Sequence, residues 1–188
     1  MTLPAALAQK KQWTYSQLLE VLDEDISCEL IDSQIYLMPS PSFEHQKIVR
    51  EIVRLMLNSM QLKGEVIFAP FDVVLSESKV VQPDIFYITV EKTSQIEKKC
   101  FRGAPDLVVE VVSDTSLQRD YFTKRELYER FGVTEYWIVD PAHKSVTLLG
   151  LKEGKYELKA ALSAQDPEAK AYSEVLKGFA LSWKEVFS

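Results

Sequence analysis

Apolar residues recur at helical spacing in two stretches of the first third of the chain. Thr14 and Gln17 have the spacing of a capping box, and Leu18, Leu19 and Leu22 supply an apolar side, which predicts a short helix from about Tyr15 to Leu22. From Phe43 to Leu62, Ile48, Ile52, Leu55, Met56 and Leu62 keep a helical period, and Gly64 is placed to end that helix in a left-handed conformation. Between the two, CELI and QIYLM flank Asp32-Ser33, which predicts a small hairpin over 28–38 followed by a Pro-Ser turn at PSPS. EVIFAPFDVVL and VVQPDIFYITV are rich in β-branched and aromatic residues and are separated by SESK, the pattern of two neighbouring strands. A charged stretch from Glu91 to Arg102 reads as a loop. PDLVVEVVS is then a near-continuous apolar run, as expected of a central strand covered on both faces. A helical pattern from about Arg119 to Phe131 ends at Gly132, and TEYWIVDP is another buried strand stopped by Pro141. The middle of the chain thus reads helix, strand, strand, strand, helix, strand. VTLLGL and KYELKAAL predict a hairpin around Gly154, SAQDPEAKAY a linker, and GFALSWKEVF a closing strand with a helical turn.

A length of 188 residues suits one domain with small additions. We expect residues 1–12 to form a loose leader and 13–188 a single domain, with its core at about 43–140 and hairpins added at 28–38 and 145–160. An apolar share of 46% excludes disorder for most of the length. The net charge of −6 excludes a strongly basic nucleic-acid coat, so a polyanion would have to meet a local basic surface, helped by metal ions. Cys28 and Cys100 lie far from any zinc-site spacing, which argues against a disulfide scaffold and a structural zinc. With the lysines following the short apolar patch at the N-terminus and no run of membrane-spanning length, the expectation is a cytoplasmic protein that does not engage a membrane.

Three residues conflict with their surroundings. Period-two alternation puts Asp106, Val108, Glu110 and Val112 on one face of their strand, so Glu110 sits in a row of valines. An isolated carboxylate there costs several kcal/mol unless a cation or donors compensate it. In the helix that follows, Leu127, Tyr128 and Phe131 make one stripe and Lys124 projects into its middle. A lysine whose stem covers the core edge would do the same. Asp84 follows Pro83, which interrupts pairing on the strand expected beside that of Glu110. Two acids on adjacent strands can supply oxygen ligands to a hard ion such as magnesium. Asp72 is either a further ligand or an exposed strand residue, and the second reading is favoured.

These residues and the blocks around them resemble a known family. Asp84 after a proline, Glu110 in a hydrophobic strand and a lysine nearby look like the PD-(D/E)XK nuclease superfamily. More closely, WTYSQLLEVL, CELIDSQIYLMPSPSFEHQ, FAPFDVVLS, VVQPDIFYI, GAPDLVVEVVS and KRELYERFGVTEYWIVDP resemble the Uma-two-like restriction endonucleases across nearly the whole chain. The resemblance implies an α+β fold: a restriction-endonuclease-like core with a central mixed β-sheet flanked by helices and with N- and C-terminal hairpins. It assigns Asp84 and Glu110 to metal binding, with magnesium or manganese as cofactor, and Lys124 to the role of a migrated catalytic lysine. His45 matches the family's histidine at the start of the long helix, where it either faces the site or serves as a capping or core histidine. The chain departs from the pattern at Val112, where the superfamily's usual lysine stands, at Ser33-Gln34 in place of Gly-Glu, and after Ser113, where Asp-Thr-Ser replaces the common Pro-Ser.

The activity implied is metal-dependent hydrolysis of phosphodiester bonds in nucleic acid, with DNA the expected substrate and a homodimer the expected assembly, since one site cuts one strand. Lys47, Arg50 and Arg54 lie near one another on the long helix and are candidate phosphate contacts, although Glu44 and Glu51 beside them favour a solvated face. Two alternatives stay open: a non-catalytic nuclease-fold module that binds nucleic acid or a protein, with Glu110 and Lys124 as a buried ion pair, and hydrolysis of a small phosphoester by the same acids.

Overall fold

A computed structural model of the chain describes residues 12–22, 26–59 and 63–188. The leader expected over 1–12 lies, apart from Gln12, outside the described residues. Helix α1 (Tyr15–Val21) begins with the expected capping box, in which the Thr14 side chain accepts from the Gln17 N–H and the Gln17 side chain accepts from that of Thr14. Strands β1 (Cys28–Ile31) and β2 (Gln34–Leu37) form the expected hairpin. Asp32 and Ser33 at its tip take φ of 50° and 66°. Two successive positive φ values are those of the type I′ turn that matches strand twist, which is why glycine would suit position 33 better than serine.

Helix α2 (Phe43–Leu57) is capped by Ser42, whose hydroxyl accepts from the His45 N–H. It buries Ile48, Val49, Ile52 and Met56, and it closes at Asn58, short of the expected Leu62. Asn58-Ser59 favour side-chain bonding to the backbone over further helix. Gly64 does take a positive φ, 124°, but as a close approach and not a helix cap: a Cβ there would collide with the Ile88 carbonyl oxygen.

The two β-rich runs hold four strands, not two. The first divides at Pro70 into β3 (Glu65–Phe68) and β4 (Asp72–Ser76), and the second at Pro83 into β5 (Lys79–Val81) and β6 (Ile85–Ile88). Proline has no N–H for a ladder, so at each break the chain leaves one sheet for another. The charged stretch expected as a loop holds a 3-10 turn, Val90–Gln95, and strand β7 (Cys100–Arg102). After β8 (Leu107–Val111) comes a π-helical turn, Arg119–Lys124, that continues into α3 (Arg125–Phe131) and ends with Gly132 at φ 80°. Then follow β9 (Glu135–Asp140), the hairpin β10 (Ser145–Lys152) and β11 (Lys155–Leu162), β12 (Lys170–Tyr172) inside the expected linker, β13 (Ala180–Ser182) and α4 (Trp183–Phe187).

The fold is α+β. A six-stranded mixed sheet has the order β11-β10-β9-β8-β6-β3, with β8 and β9 parallel, and a five-stranded sheet has the order β2-β1-β5-β4-β7. Within the first, α2, β3, β6, β8, α3 and β9 keep the helix, strand, strand, strand, helix, strand order. One face of this sheet, through Leu107, Val109, Val111 and Trp137, packs against Ile48, Ile52 and Met56 of α2. The other face, through Phe86, Val108, Val112 and Ile138, meets Leu127 and Tyr128 of α3 and Ile31, Val73, Val81 and Phe101 of the second sheet. Each large apolar side chain so enclosed contributes roughly 1.5–3 kcal/mol. Helix α1 covers the outer face of the second sheet, where Trp13, Tyr15 and Leu18 pack on Leu30, Val74 and Val80. Leu30 therefore points outward and Glu29 inward, towards the layer that holds Glu110. The hairpin at 28–38 is a wall of that layer, and not only an addition ahead of the core.

Candidate active site

Pro83 ends β5 without offering an N–H, and Asp84 is the first residue beyond it. In the β6–β8 register Ile85 faces Val109, so Asp84 continues opposite Glu110. Its carboxylate oxygen Oδ2 accepts the Val111 N–H at 2.7 Å, standing in for a ladder carbonyl. The same oxygen lies 3.1 Å from His45 Nε2, which the Ser42 cap holds at the first turn of α2. Burial disfavours the charged ring of His45, but the bond to Asp84 and its charge outweigh burial and raise the pKa above the usual histidine value. The His45 side chain is therefore turned towards Asp84.

Glu110 is 3% exposed in the middle of the layer between the sheets. Lys124 Nζ donates to its Oε1 at 2.9 Å and the Tyr128 hydroxyl to the same oxygen at 2.7 Å. The ammonium also lies 2.7 Å from Glu29 Oε1 and 3.5 Å from Asp120 Oδ1. Three carboxylates from β1, β8 and the π turn thereby surround one lysine that is 2% exposed. Burial alone would lower the pKa of Lys124, but Glu110, Glu29 and Asp120 hold it well above the ordinary lysine range, so it stays charged. Burial pushes Glu110 well up; Lys124 opposes this, and Asp120, Asp84 and Glu29 reinforce it. Asp120 is raised in the same way, by burial first. The layer holds more carboxyl groups than lysine and arginine side chains.

Among the described residues, four buried polar atoms here have no hydrogen-bond partner: Glu29 Oε2, Asp120 Oδ1, Arg119 Nε and His45 Nδ1. Glu29 Oε1 accepts the Gln82 N–H at 3.1 Å, and the Gln82 amide donates to Asp72 Oδ1, whose other oxygen accepts from the Tyr15 hydroxyl. Asp72 is therefore half-buried and bonded, linked to Glu29 through Gln82, and is not the exposed strand residue favoured from the sequence. Lys47, Arg50 and Arg54 stand apart. Arg50 and Arg54 both bond Glu51 on their own helix, and Lys47 donates to the Ser188 carbonyl oxygen.

Residues 14–184 match the Uma2 family, described as putative restriction endonuclease. The chain belongs to that family. Among solved structures, the crystal structure of a putative nuclease belonging to DUF820 from Anabaena variabilis is similar over 93% of this chain and 97% of that chain, with 19% identity and a TM-score of 0.77. No curated protein matches the chain. Among the described residues no helix is long and apolar enough to cross a membrane.

For a Uma2 chain the fit of a divalent ion turns on the donor set. Among the described residues no group of three or more His, Cys, Asp or Glu is arranged to enclose a metal ion. Magnesium, however, is commonly held by one or two carboxylates with waters and phosphate oxygens completing its shell. Asp84 and Glu110 match that demand: in each, one oxygen takes the protein's hydrogen bonds and the other, Asp84 Oδ1 or Glu110 Oε2, takes none among the described residues. Val112, in the position of the superfamily's usual lysine, is packed in the apolar layer, and Lys124 arrives from the helix that follows.

Sequence reasoning missed Glu29, Asp120, Arg119 and Tyr128. The signal for Glu29 was the same as for Glu110, an acid within an apolar strand, CELI. Asp120 lies four residues before Lys124, the spacing of a pair on one helical face.

Proposed function

We propose that this Uma2 protein is a metal-dependent endonuclease that hydrolyses phosphodiester bonds of DNA, with Asp84 and Glu110 holding magnesium or manganese and Lys124 acting on the attacking water. Family membership supports nuclease chemistry; the metal, the substrate and the residue roles are our reading. The observation that carries it is the buried Lys124 ammonium, 2.9 Å from Glu110 on the strand beside Asp84. A bound divalent ion supplies Lewis acidity towards water and the phosphate oxygens. The chain's own part is positional. His45 and the Val111 N–H hold one oxygen of Asp84, while Tyr128 and Lys124 hold one of Glu110, which leaves the other oxygen of each carboxylate for the ion. Lys124 commits two short bonds to Glu29 and Glu110, and its longer contact to Asp120 leaves a donor able to turn towards a water or phosphate oxygen. Two copies of the chain would cut both strands of a duplex.

The test is magnesium-dependent nicking of supercoiled DNA by wild type, Asp84→Asn and Lys124→Ala, with RNA and free nucleotides as parallel substrates. Wild type should nick DNA only with the ion, and each variant should lose activity by about a hundredfold or more. A wild-type protein that neither binds magnesium or manganese nor cleaves any of these substrates would leave the Lys124 cluster as a buried ion pair in a non-catalytic module.

A further inference from the structure

We propose that Arg119 binds the phosphate of the substrate, taking its oxygens in the guanidinium fork one carboxylate away from Lys124. The inference rests on the nuclease reading and adds a substrate contact to it. Arg119 opens the π-helical turn that ends at Lys124, and its side chain is 15% exposed. Its guanidinium lies over the Tyr36 ring, 5.3 Å from the centroid, which fixes the plane of the fork. Its nearest acid is Glu29, whose Oε2 is 3.7 Å from Nε, too far for a hydrogen bond. Both of these atoms are buried without a partner, and among the described residues the Arg119 side chain makes no hydrogen bond to another side chain or to the backbone. Glu29 Oε1, meanwhile, is taken by Lys124.

A guanidinium held in place with its donors unused is an uncommon arrangement, because arginine ordinarily meets carboxylates in bidentate pairs. The same fork fits two oxygens of a phosphodiester anion. The site also needs such a cation. Glu29, Asp84, Glu110 and Asp120 outnumber Lys124, Arg119 and His45, so an approaching phosphate is better received by a cation at the edge of the acid cluster than at its centre. The arginines on α2 cannot serve without giving up Glu51. Tyr36 belongs to the hairpin, so the N-terminal hairpin contributes to this site twice, through Glu29 and through the platform under Arg119.

The probe is dimethyl phosphate, the smallest phosphodiester anion, titrated against sodium chloride at matched ionic strength with magnesium present in both, and read as the rise in melting temperature. Arg119→Ala should abolish the rise, Arg119→Lys should keep less than half of it, and Arg130→Ala, which removes an exposed arginine from the far end of α3, should keep all of it. If Arg119→Ala does not fold, Arg119→Lys decides, since it retains the charge beside Glu29. In fluorescence anisotropy with labelled DNA, loss of Arg119 should weaken binding about ten- to a hundredfold and reduce the salt slope by about one. A full dimethyl phosphate response in Arg119→Ala, or in Arg119→Lys where the alanine variant is unfolded, overturns the inference while leaving the nuclease reading intact. A response that depends on Arg119 in a protein that cleaves no nucleic acid removes the nuclease reading and keeps the phosphate site.

Discussion

Lys124 keeps its charge in a layer where an unpaired ammonium would be expelled, because three carboxylates compensate its lost hydration. Lys124→Ala leaves those acids facing one another, and thermal melts should show a stability loss of about 3 kcal/mol or more. Asp84→Asn should differ: the amide oxygen still accepts the Val111 N–H and one negative charge is removed, so at a pH where His45 is neutral stability should hold or rise slightly while magnesium-dependent cleavage is lost. The pH response has a definite sign. Folding raises Glu110 above its ordinary 4.5 and His45 above 6.5. Above those values the folded protein still binds protons that the unfolded chain has released. Stability of the metal-free protein should therefore fall as pH rises past 4.5, through the Glu110 window, and again past 6.5 as His45 loses its proton. Melts with a chelator from about pH 5 to about pH 9 check this; Glu110→Gln should flatten the lower part and His45→Gln the upper. At the hairpin tip, Ser33→Gly should stabilise by about 1 kcal/mol, since serine bears the strain of a φ of 66° that glycine does not.

The π-helical turn decides which side chains of its helix reach the site. Asp120 and Lys124 both point inward from it, and the Tyr136 hydroxyl donates to the Asp120 carbonyl oxygen. Phe122, in the same turn, is 63% exposed and belongs to none of the apolar core clusters of the described residues. Deleting it should tighten the turn towards an α-helix and rotate whatever lies on one side of the deletion by about 100° relative to the other. Asp120 and Lys124 could then no longer face the cluster together. Circular dichroism should show an unchanged fold and cleavage assays a near-complete loss, whereas a deletion with full activity would show that the turn has no part in the site. The elements themselves were read well where one local pattern governs them, as at the capping box of α1, the apolar run of β8 and the stop at Gly132. The four strands hidden in two runs were not, because Pro70 and Pro83 mark an interruption without saying that the chain changes sheets there.

For the whole molecule, a net charge of −6 means that DNA, the substrate proposed above, would have to be received locally, so its binding should weaken steeply with salt. Magnesium bound by the folded state alone should raise the melting temperature, by the equivalent of about 2.7 kcal/mol at a hundredfold excess over Kd, and Asp84→Asn should abolish this rise. Sedimentation should detect a dimer at micromolar concentration; an exclusively monomeric protein would count against paired-strand cutting. Hydrophobic periodicity and local misfits by themselves determined the succession helix, strand, strand, strand, helix, strand and picked out Glu110, Lys124 and Asp84, because an acid among valines or a lysine in an apolar stripe is visible within a few residues. Only the tertiary structure decided that the N-terminal hairpin folds back as part of a second sheet, that Glu29 and Asp120 join Glu110 around one ammonium, and that Arg119, not the arginines of α2, stands with its donors unused. Those facts depend on pairing between segments far apart in the chain, such as Leu30 with Val80, and nothing in the spacing of either segment specifies its partner.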